Sequence, residues 1–415
     1  MTEYFNSLKD EWISTMQAAI AEKPLSGQEK GVADLLLKEL EKAGIECCRD
    51  EAGNVVGILR GTGDGPVVMT NGHMDVVPEG NIDAWQGYDP YNAVVEGDKL
   101  IGGGTSDMLN GTISELFTIR EFKKLLDAGK EMNGTLVFTA VVNEEPAESM
   151  GVLYLCQNTL PKLGIKPDFV IIGEPCEGNF YVGQRGKVEL VVDVYGKVAH
   201  SSAPWQGISA VEKAIPVMEA IINNMYKKSM THEKLGFSGM CITDVEVTPG
   251  RMYSCVPDHC SITVDRRYVP PFTVQDCIDE IQEYLDYLAS KDPDFRAEVH
   301  QRMNVRESYT GFSMEVPKQH PVWVTGEDDK FVNICKEALN ELGYEPEYKY
   351  KVGGNDGSVT RGIYGIPTLI YSYGIVPIIH KPMEYVRISE EMQEMEGLAA
   401  MMCKLFGMDF HECFG

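Results

Sequence analysis

The sequence has no long hydrophobic run and comparatively little positive charge. No uninterrupted apolar stretch in its 415 residues approaches the length needed to cross a bilayer, so we expect no membrane span. The 37 lysines and arginines face 63 acidic residues, and the formal net charge of −26 argues against nucleic acid or an anionic membrane as a partner. The polar beginning MTEYFNSLKDEWIS does not resemble a signal peptide, which predicts a cytoplasmic protein.

The sequence also lacks paired cysteine motifs, low-complexity segments and internal repeats. Its 11 cysteines form no CxxC pair, and in a chain without an export signal they are expected to be reduced thiols, mostly buried. A hydrophobic content of 43% is that of a globular protein. The length exceeds what one ordinary core accommodates, so two domains are expected.

The order of strand and helix patterns predicts how these domains are arranged. Apolar strands alternate with amphipathic helices in residues 1–185, and the same texture returns in the C-terminal part, which predicts an α/β fold with a mostly parallel sheet. Residues 186–302 instead follow the order β-α-β-β-α-β, which is ferredoxin-like. We therefore predict one α/β domain formed by residues 1–185 and 303–415, with a smaller α+β domain inserted between its two segments.

One helix is clearly signalled near the N-terminus. The pattern LSGQEKGVADLLLKELEKAGIE predicts a helix within residues 25–46 that ends at Gly44. Ser26 and Glu29 have the spacing of a capping box, so we expect them to begin it.

Histidines and acids follow several of the predicted strands. In NGHMDVVPEG, His73 and Asp75 come directly after the apolar strand PVVMT. Alone, this His-x-Asp pattern fits a polar turn that caps a strand more readily than a functional site. Similar positions recur where other strands or glycine-rich turns end, namely at Asp107, Glu144, Glu145, Glu174 and His380.

These side chains together predict a metal site. Carboxylates crowded at one edge of a sheet repel one another unless cations lie among them. Imidazole and carboxylate suit Zn²⁺, and carboxylate also suits Mn²⁺. None of these stretches contains a cysteine, which argues against a structural zinc site.

Eight motifs carry a resemblance to a known family. The sequence resembles the M20 metallopeptidases, the ArgE/DapE/aminoacylase family, and within it most resembles the hydrolases linked to selenium metabolism. The resemblance implies a zinc-peptidase-like catalytic domain with an inserted lid and dimerisation domain. The motifs occur in family order as GHMDVVP, GGGTSDMLNG, NEEP, IIGEP, KVAHSSAPWQGISAVEKA, VDRRY, GGNDGS and HKPMEYV.

The resemblance assigns the metal ligands residue by residue. It implies two divalent metal ions per chain, zinc or else manganese or cobalt. His73 and Glu174 would hold one ion, Glu145 and His380 the other, and Asp107 would bridge both. A cis peptide bond is implied at Asp107–Met108.

The resemblance also assigns catalytic and positioning roles. Glu144 would be the general base, and Asp75 would orient His73 through the ring nitrogen that faces away from the metal. His200 matches a histidine that reaches the neighbouring subunit's site in dimeric members, although such a residue can also cap a helix or lie in a core. Arg267 matches an arginine that binds the substrate carboxylate, while Arg266 beside it is expected to be structural.

Further substrate contacts are implied for Asn355, Gly354 and Ser254. The GGNDGS segment would bring Asn355 and Gly354 near the substrate, although it also reads as an ordinary glycine-rich turn. Ser254 stands where many members have an asparagine, which puts carboxylate recognition in doubt. Arg251 reads as a second anion binder or, more readily, as a solvated surface arginine.

The implied reaction is hydrolysis of a peptide, N-acyl or N-carbamoyl amide bond next to a free carboxylate. A hydroxide held between the two metals would attack, with Glu144 as general base. The partners are then a small carboxylate-bearing amide and a second copy of the chain, joined through the inserted domain. The alternatives are an aminopeptidase or dipeptidase on the same site, a non-catalytic small-molecule binder that keeps the fold, and a purely structural oligomer.

Overall fold

Buried apolar side chains form two hydrophobic cores. The computed structural model describes residues 2–146, 148–225, 231–250 and 253–415. The larger core draws on both ends of the chain, and Trp12, Phe138 and Met401 are fully buried in it. The smaller core lies between them in sequence and contains Leu190 and Ile262.

Twelve α-helices occur in the described residues, with α7 and α8 in the region of the smaller core and the others in the region of the larger one. Their bounds are α1 Glu3–Ser7, α2 Lys9–Ala21, α3 Lys30–Lys42, α4 Asn110–Asp127, α5 Met150–Tyr154, α6 Leu160–Lys162, α7 Ala210–Ala220, α8 Val274–Lys291, α9 Lys330–Glu341, α10 Gly357–Thr360, α11 Ile388–Leu405 and α12 Phe410–Phe414.

The strands belong to one large sheet, one four-stranded sheet with a short added strand, and several small ribbons. Their bounds are β1 Glu46–Arg49, β2 Val55–Arg60, β3 Thr62–His73, β4 Val94–Glu96, β5 Lys99–Ile101, β6 Asn133–Val141, β7 Phe169–Ile172, β8 Phe180–Gln184, β9 Gly186–Tyr195, β10 Ala199–His200, β11 Thr231–His232, β12 Gly236–Phe237, β13 Gly239–Thr248, β14 Cys255–Val256, β15 His259–Tyr268, β16 Arg296–Gln301, β17 Met303–Glu307, β18 Ser313–Pro317, β19 Gln319–His320, β20 Trp323–Val324, β21 Tyr348–Lys351, β22 Thr368–Ile370 and β23 Tyr385–Arg387.

The large sheet is parallel in its centre and antiparallel towards both sides. Its order is β1-β2-β6-β3-β7-β22-β8-β20, and β21 pairs with β8. In the parallel centre, Val68 of β3 pairs with Leu136 of β6 and with Phe169 of β7. The carboxyl ends of these neighbouring strands therefore lie at the same edge, and the predicted α/β class is confirmed.

The smaller core is covered by an antiparallel sheet of order β13-β15-β9-β16. Helices α7 and α8 pack on one face of it and bury Val217 and Ile281 against its apolar residues. This is the ferredoxin-like arrangement expected from the strand order. We call these four strands with α7 and α8 the inserted domain.

The predicted capping box at Ser26 and Glu29 is wrong. Helix α3 begins only at Lys30. The Ser26 hydroxyl instead donates a hydrogen bond to Asp75 at 2.7 Å, and the buried Glu29 carboxylate accepts one from the Asn143 amide at 3.1 Å. Both side chains therefore form hydrogen bonds with the segments that follow β3 and β6. These contacts, which are distant in sequence, override the local capping pattern.

Among the described residues, no helix is both long enough and apolar enough to cross a bilayer. The cysteines are free, and Cys156, Cys176, Cys260, Cys277, Cys335 and Cys403 are buried.

Replacing Ile281 with alanine should destabilise the inserted domain. Ile281 is 1% exposed in the smaller core, so truncation leaves a cavity that costs about 2–5 kcal/mol. Chemical denaturation followed by circular dichroism measures the change. The matched control is Glu283→Ala on the exposed face of the same helix, expected to stay within about 0.5 kcal/mol of wild type. Equal effects of the two substitutions would contradict the packing described here.

Candidate metal centre

The predicted acids and histidines meet at the carboxyl edge of the large sheet. His73 ends β3, Glu144 follows β6, and Glu174 follows β7. Ligand atoms of these three buried residues lie within 4.8 Å of one another. The Nε2 atom of His73 is 4.0 Å from Glu144 Oε2 and 3.8 Å from Glu174 Oε1.

A second group adjoins the first through the same histidine. His73, Asp107 and Glu145 also place ligand atoms within 4.8 Å of one another. His73 Nε2 is 3.3 Å from Asp107 Oδ1, and His380 Nε2 is 3.2 Å from Asp107 Oδ2. His380 Nε2 is also 3.1 Å from Glu145 Oε2. Asp107 therefore presents one oxygen to each histidine, as a bridging ligand would.

The donor set fits two divalent cations. His73 Nε2 is buried and has no hydrogen-bond partner among the described residues, although three carboxylates surround it. Donor atoms about 2.0–2.2 Å from a tetrahedral Zn²⁺ stand about 3.3–3.6 Å apart. His73 Nε2 lies 3.3 Å from Asp107 and 3.8 Å from Glu174, which is close to that separation. Imidazole nitrogen and carboxylate oxygen are ligands of Zn²⁺, and carboxylate also suits Mn²⁺.

The electrostatics of the cluster reflect its burial. Burial raises the pKa of Glu144 well above its usual range, and burial with the charge of Asp107 raises the pKa of Glu145 to about 7. Hydrogen bonds to Asp107 and Glu145 raise the pKa of His380 to about 10. Burial disfavours the charged form of Asp107, but the neighbouring imidazoles of His380 and His73 outweigh it and lower its pKa. Without metal, imidazolium groups thus balance part of the carboxylate charge.

Asp75 supports the cluster differently from the expectation. The His73 Nδ1–H donates to the main-chain carbonyl oxygen of Asp75 at 2.8 Å, while the Asp75 carboxylate is 3.7 Å away. That carboxylate instead accepts hydrogen bonds from the backbone amides of Glu144 and Glu145, each at 3.1 Å. Asp75 therefore fixes the tautomer of His73 through its backbone and positions the two glutamates through its side chain.

Glu384 is a supporting residue that the motif reading did not assign. Its buried carboxylate accepts hydrogen bonds from the amides of Ser106 at 2.6 Å and Asp107 at 3.0 Å. Burial raises the pKa of Glu384 to about 8. The peptide bond between Asp107 and Met108 is cis, as predicted. Glu384 thus holds the backbone that carries Asp107.

The cluster opens into a cavity of about 240 Å³. Arg267 and Gly354, two residues predicted to contact the substrate, line it, and the Arg267 guanidinium donates to Asp265 at 2.6 and 3.1 Å. Arg266 is buried and donates to Glu280 at 3.0 Å, which fits the expected structural role. Sequence reasoning missed three further lining residues, Lys187, His320 and Lys351, because strand pairing distant in sequence brings them here.

Other predicted residues do not line this cavity. His200 and Ser254 are exposed in the connections that follow β9 and β13 of the inserted domain, where β10 pairs with β14. His200 donates to, or accepts from, the Ser202 hydroxyl at 2.7 Å. Asn355 is fully buried, and its side-chain oxygen accepts from the Gly357 amide at 2.7 Å. Arg251 lies outside the described residues.

A buried edge cluster of this composition, open to a small cavity, defines a two-metal hydrolase site. Comparison with known proteins agrees. The sequence matches the peptidase family M20/M25/M40 over residues 69–406. It is 32% identical over 364 residues to an Escherichia coli (strain K12) protein named "Uncharacterized protein YgeY", covering 86% of this chain and 85% of that protein.

Two further likenesses point the same way. A Staphylococcus aureus (strain MSSA476) protein named "Probable succinyl-diaminopimelate desuccinylase" is 23% identical over 364 residues, covering 79% of this chain and 82% of that one. The Bacillus subtilis YXEP structure, described as a dinuclear metal binding peptidase from M20 family, superposes with a TM-score of 0.70 at 16% identity, covering 97% of this chain and 100% of that chain.

The chain therefore belongs to the M20 peptidase family and is an enzyme of the metallopeptidase or amidohydrolase type. The narrower likeness to hydrolases linked to selenium metabolism stays a prediction.

Metal binding should release protons at neutral pH. The pKa of His380 near 10 means that this imidazole is protonated at pH 7 without metal, and it must lose that proton to become a ligand. Titration calorimetry of the metal-free protein with Zn²⁺, in two buffers of different ionisation enthalpy, counts the protons. His380→Gln should release about one proton fewer per chain and bind one ion less tightly. Equal proton release by wild type and variant would count against His380 as a ligand.

Proposed function

We propose that this protein hydrolyses an amide bond next to a free carboxylate, in a peptide, an N-acyl amino acid or an N-carbamoyl amino acid. One observation carries the proposal. A buried glutamate, Glu144, lies next to His73 and Glu174 and lines the same cavity as Arg267. A proton acceptor and a carboxylate binder therefore border the same small space. The metal would be zinc, with manganese or cobalt as alternatives.

The metal ligands in this proposal are His73, Asp107, Glu145, Glu174 and His380. Two divalent ions held there would supply Lewis acidity, which polarises a scissile carbonyl and makes water more acidic.

Glu144 serves as the general base. Its carboxylate lies 4.0 Å from His73 Nε2, and burial raises its pKa. A carboxylate of raised basicity accepts the proton of the attacking water and returns it to the leaving amine. The amide hydrogen bond to Asp75 keeps the Glu144 backbone in place during both transfers.

Arg267 positions the substrate by its carboxylate. Asp265 holds the guanidinium with two hydrogen bonds, so little side-chain freedom is lost when a ligand binds. Because Arg267 lies on β15, residues 186–302 would act as a lid over the catalytic domain formed by residues 1–185 and 303–415. A free carboxylate on the substrate distinguishes this reaction from that of an aminopeptidase.

Glu144→Gln should abolish turnover while metal is still bound. The amide cannot accept a proton, so we expect kcat to fall about 10²–10⁴-fold or more. The measurement is amine release by mass spectrometry from a panel of N-acyl amino acids, N-carbamoyl amino acids, dipeptides and aminoacyl anilides. Metal content by elemental analysis accompanies it.

The control for this variant is Glu347→Gln, which changes an exposed glutamate and should keep the wild-type rate. Turnover that survives in Glu144→Gln would contradict the assigned base. Release confined to the anilides would favour an aminopeptidase. A wild-type protein that binds two ions and releases nothing from any compound would favour a binder.

We further propose a homodimer formed through the inserted domain. His200 is exposed and does not line the cavity of its own chain. Trp205, five residues on, is 78% exposed, which is unusual for a tryptophan outside an interface. In a dimer with twofold symmetry, His200 of the partner subunit would complete each active site.

Mixing two inactive variants tests this arrangement. His200→Ala and Glu144→Gln chains should each be impaired, and after co-expression a heterodimer has one site with both groups intact. Random pairing gives half heterodimers, so about a quarter of the wild-type rate should return. Recovery is measured on the best substrate of the panel, with light scattering to establish the oligomeric state. No recovery from a dimeric mixture would exclude a role for His200 across subunits.

A further inference from the structure

Basic side chains form a row across three neighbouring strands above the metal centre. Arg267 of β15 lies directly opposite Lys187 of β9, and His320 of β19 lies directly opposite Lys187 on its other side. Side chains at such positions stand about 4.5–5.5 Å apart at Cβ and share one face of the sheet. Their neighbours Val188 and Val264 point to the opposite face, into the smaller core.

The two cations of this row, Arg267 and Lys187, share a single carboxylate, Asp265. Asp265 accepts both hydrogen bonds from Arg267 and is also 3.8 Å from Lys187 Nζ, so two cations share it. Burial lowers the pKa of Lys187, against the opposing effect of Asp265. Burial, with Lys187 and Arg267 nearby, lowers the pKa of His320 to about 3, which keeps that ring neutral. Like charges directly opposite each other destabilise a sheet unless an anion joins them.

Lys351 adds a further cation on the side of the metal centre. It ends β21, opposite Gln184 of β8, and its side chain is only 13% exposed. Its ammonium pairs with Glu174 Oε2, while Glu174 Oε1 faces His73 at 3.8 Å. An ammonium has three donors, so Lys351 can bind Glu174 and a ligand at once.

The three cations Lys187, Arg267 and Lys351 thus face one cavity of about 240 Å³, in a chain whose net charge is −26. If a single substrate carboxylate bound Arg267, the two largely buried lysines would have only Asp265 and a metal-bound Glu174 as partners. Buried charges that are incompletely paired are costly, so a second anionic group on the ligand would be strongly favoured.

We infer that the substrate carries two anionic groups, of which Arg267 binds one and Lys187 with Lys351 binds the other. This inference rests on the proposed function and narrows its substrate class to amides with two carboxylates. The second carboxylate can belong to the acyl group or to the amino acid. The chemistry that recognises it is the same in both cases, and the experiment separates the two.

Binding is measured without turnover, by calorimetry on the Zn²⁺-loaded Glu144→Gln protein. The probes are N-acetylglycine with one carboxylate, N-succinylglycine with the second on the acyl side, and N-acetylglutamate with the second on the amino-acid side. We expect one of the two dicarboxylates to bind about 10- to 100-fold more tightly than N-acetylglycine, as a charged hydrogen-bonded contact would give.

Variants assign this preference to the lysines. Lys187→Gln and Lys351→Met should each reduce the preference for the dicarboxylate about tenfold or more while N-acetylglycine binding changes little. Lys349→Met is the matched control, because Lys349 lies on the same strand, is 36% exposed and has its Nζ 3.9 Å from Glu347. It should keep the preference. Circular dichroism and metal content verify that each variant is folded and loaded.

Two results would overturn the inference. One is equal affinity for all three probes. The other is that both lysine variants lose affinity for N-acetylglycine and for the dicarboxylate by the same factor. That result would mean that the lysines only support the acidic cluster. Wild-type turnover is recorded separately. Amine release without any preference supports the proposed function alone, whereas preference without release supports the inference and counts against the proposed hydrolysis.

Discussion

Repulsion among buried carboxylates is the constraint on which this structure depends. The parallel centre of the large sheet brings the ends of β3, β6 and β7 to one edge, and with them Glu144 and Glu174. Asp107 and Glu145 join them from adjoining segments. No sheet edge keeps four buried acids in place by packing alone, because each resists the loss of hydration. Cations must lie among them, and the donor geometry around His73 suits divalent metal ions.

The carboxylates of the acids next to the cluster form hydrogen bonds with its backbone amides and not with its charged side chains. Asp75 binds the amides of Glu144 and Glu145, and Glu384 binds the amides of Ser106 and Asp107. Each support is an acid that accepts hydrogen bonds from consecutive or neighbouring amides, which fixes a loop conformation without occupying the cavity. Apart from His73, which ends β3, the proposed ligands lie outside the strands and helices described above, and these hydrogen bonds hold the backbone around Asp107 and Glu145 in place.

The sequence predicts the parts of this site that depend on order along the chain. Acids and histidines that follow apolar strands are visible as a pattern, so the cluster they form and the α/β class could be anticipated. The role of Asp75 could not be anticipated, because its main-chain carbonyl binds the His73 ring while its carboxylate binds the Glu144 amide. Ser26 fits a capping box locally but binds Asp75 instead. Lys187 and His320 become neighbours only through the pairing of β9 with β19, which no local pattern encodes.

Charge balance couples the two sides of the cavity. Acids gather at the sheet edge, and Arg267 and Lys187 of the inserted domain line the cavity into which these acids open. Lys351 links the two groups of charges, since it lines the same cavity and its ammonium pairs with Glu174, one of the proposed ligands. A divalent ion bound to Glu174 would partly neutralise that carboxylate. The charge of Lys351 would then be less compensated within the protein, and Lys351 would attract a bound anion more strongly. Metal and anionic substrate should therefore strengthen each other's binding, and by thermodynamic linkage each does so by the same factor.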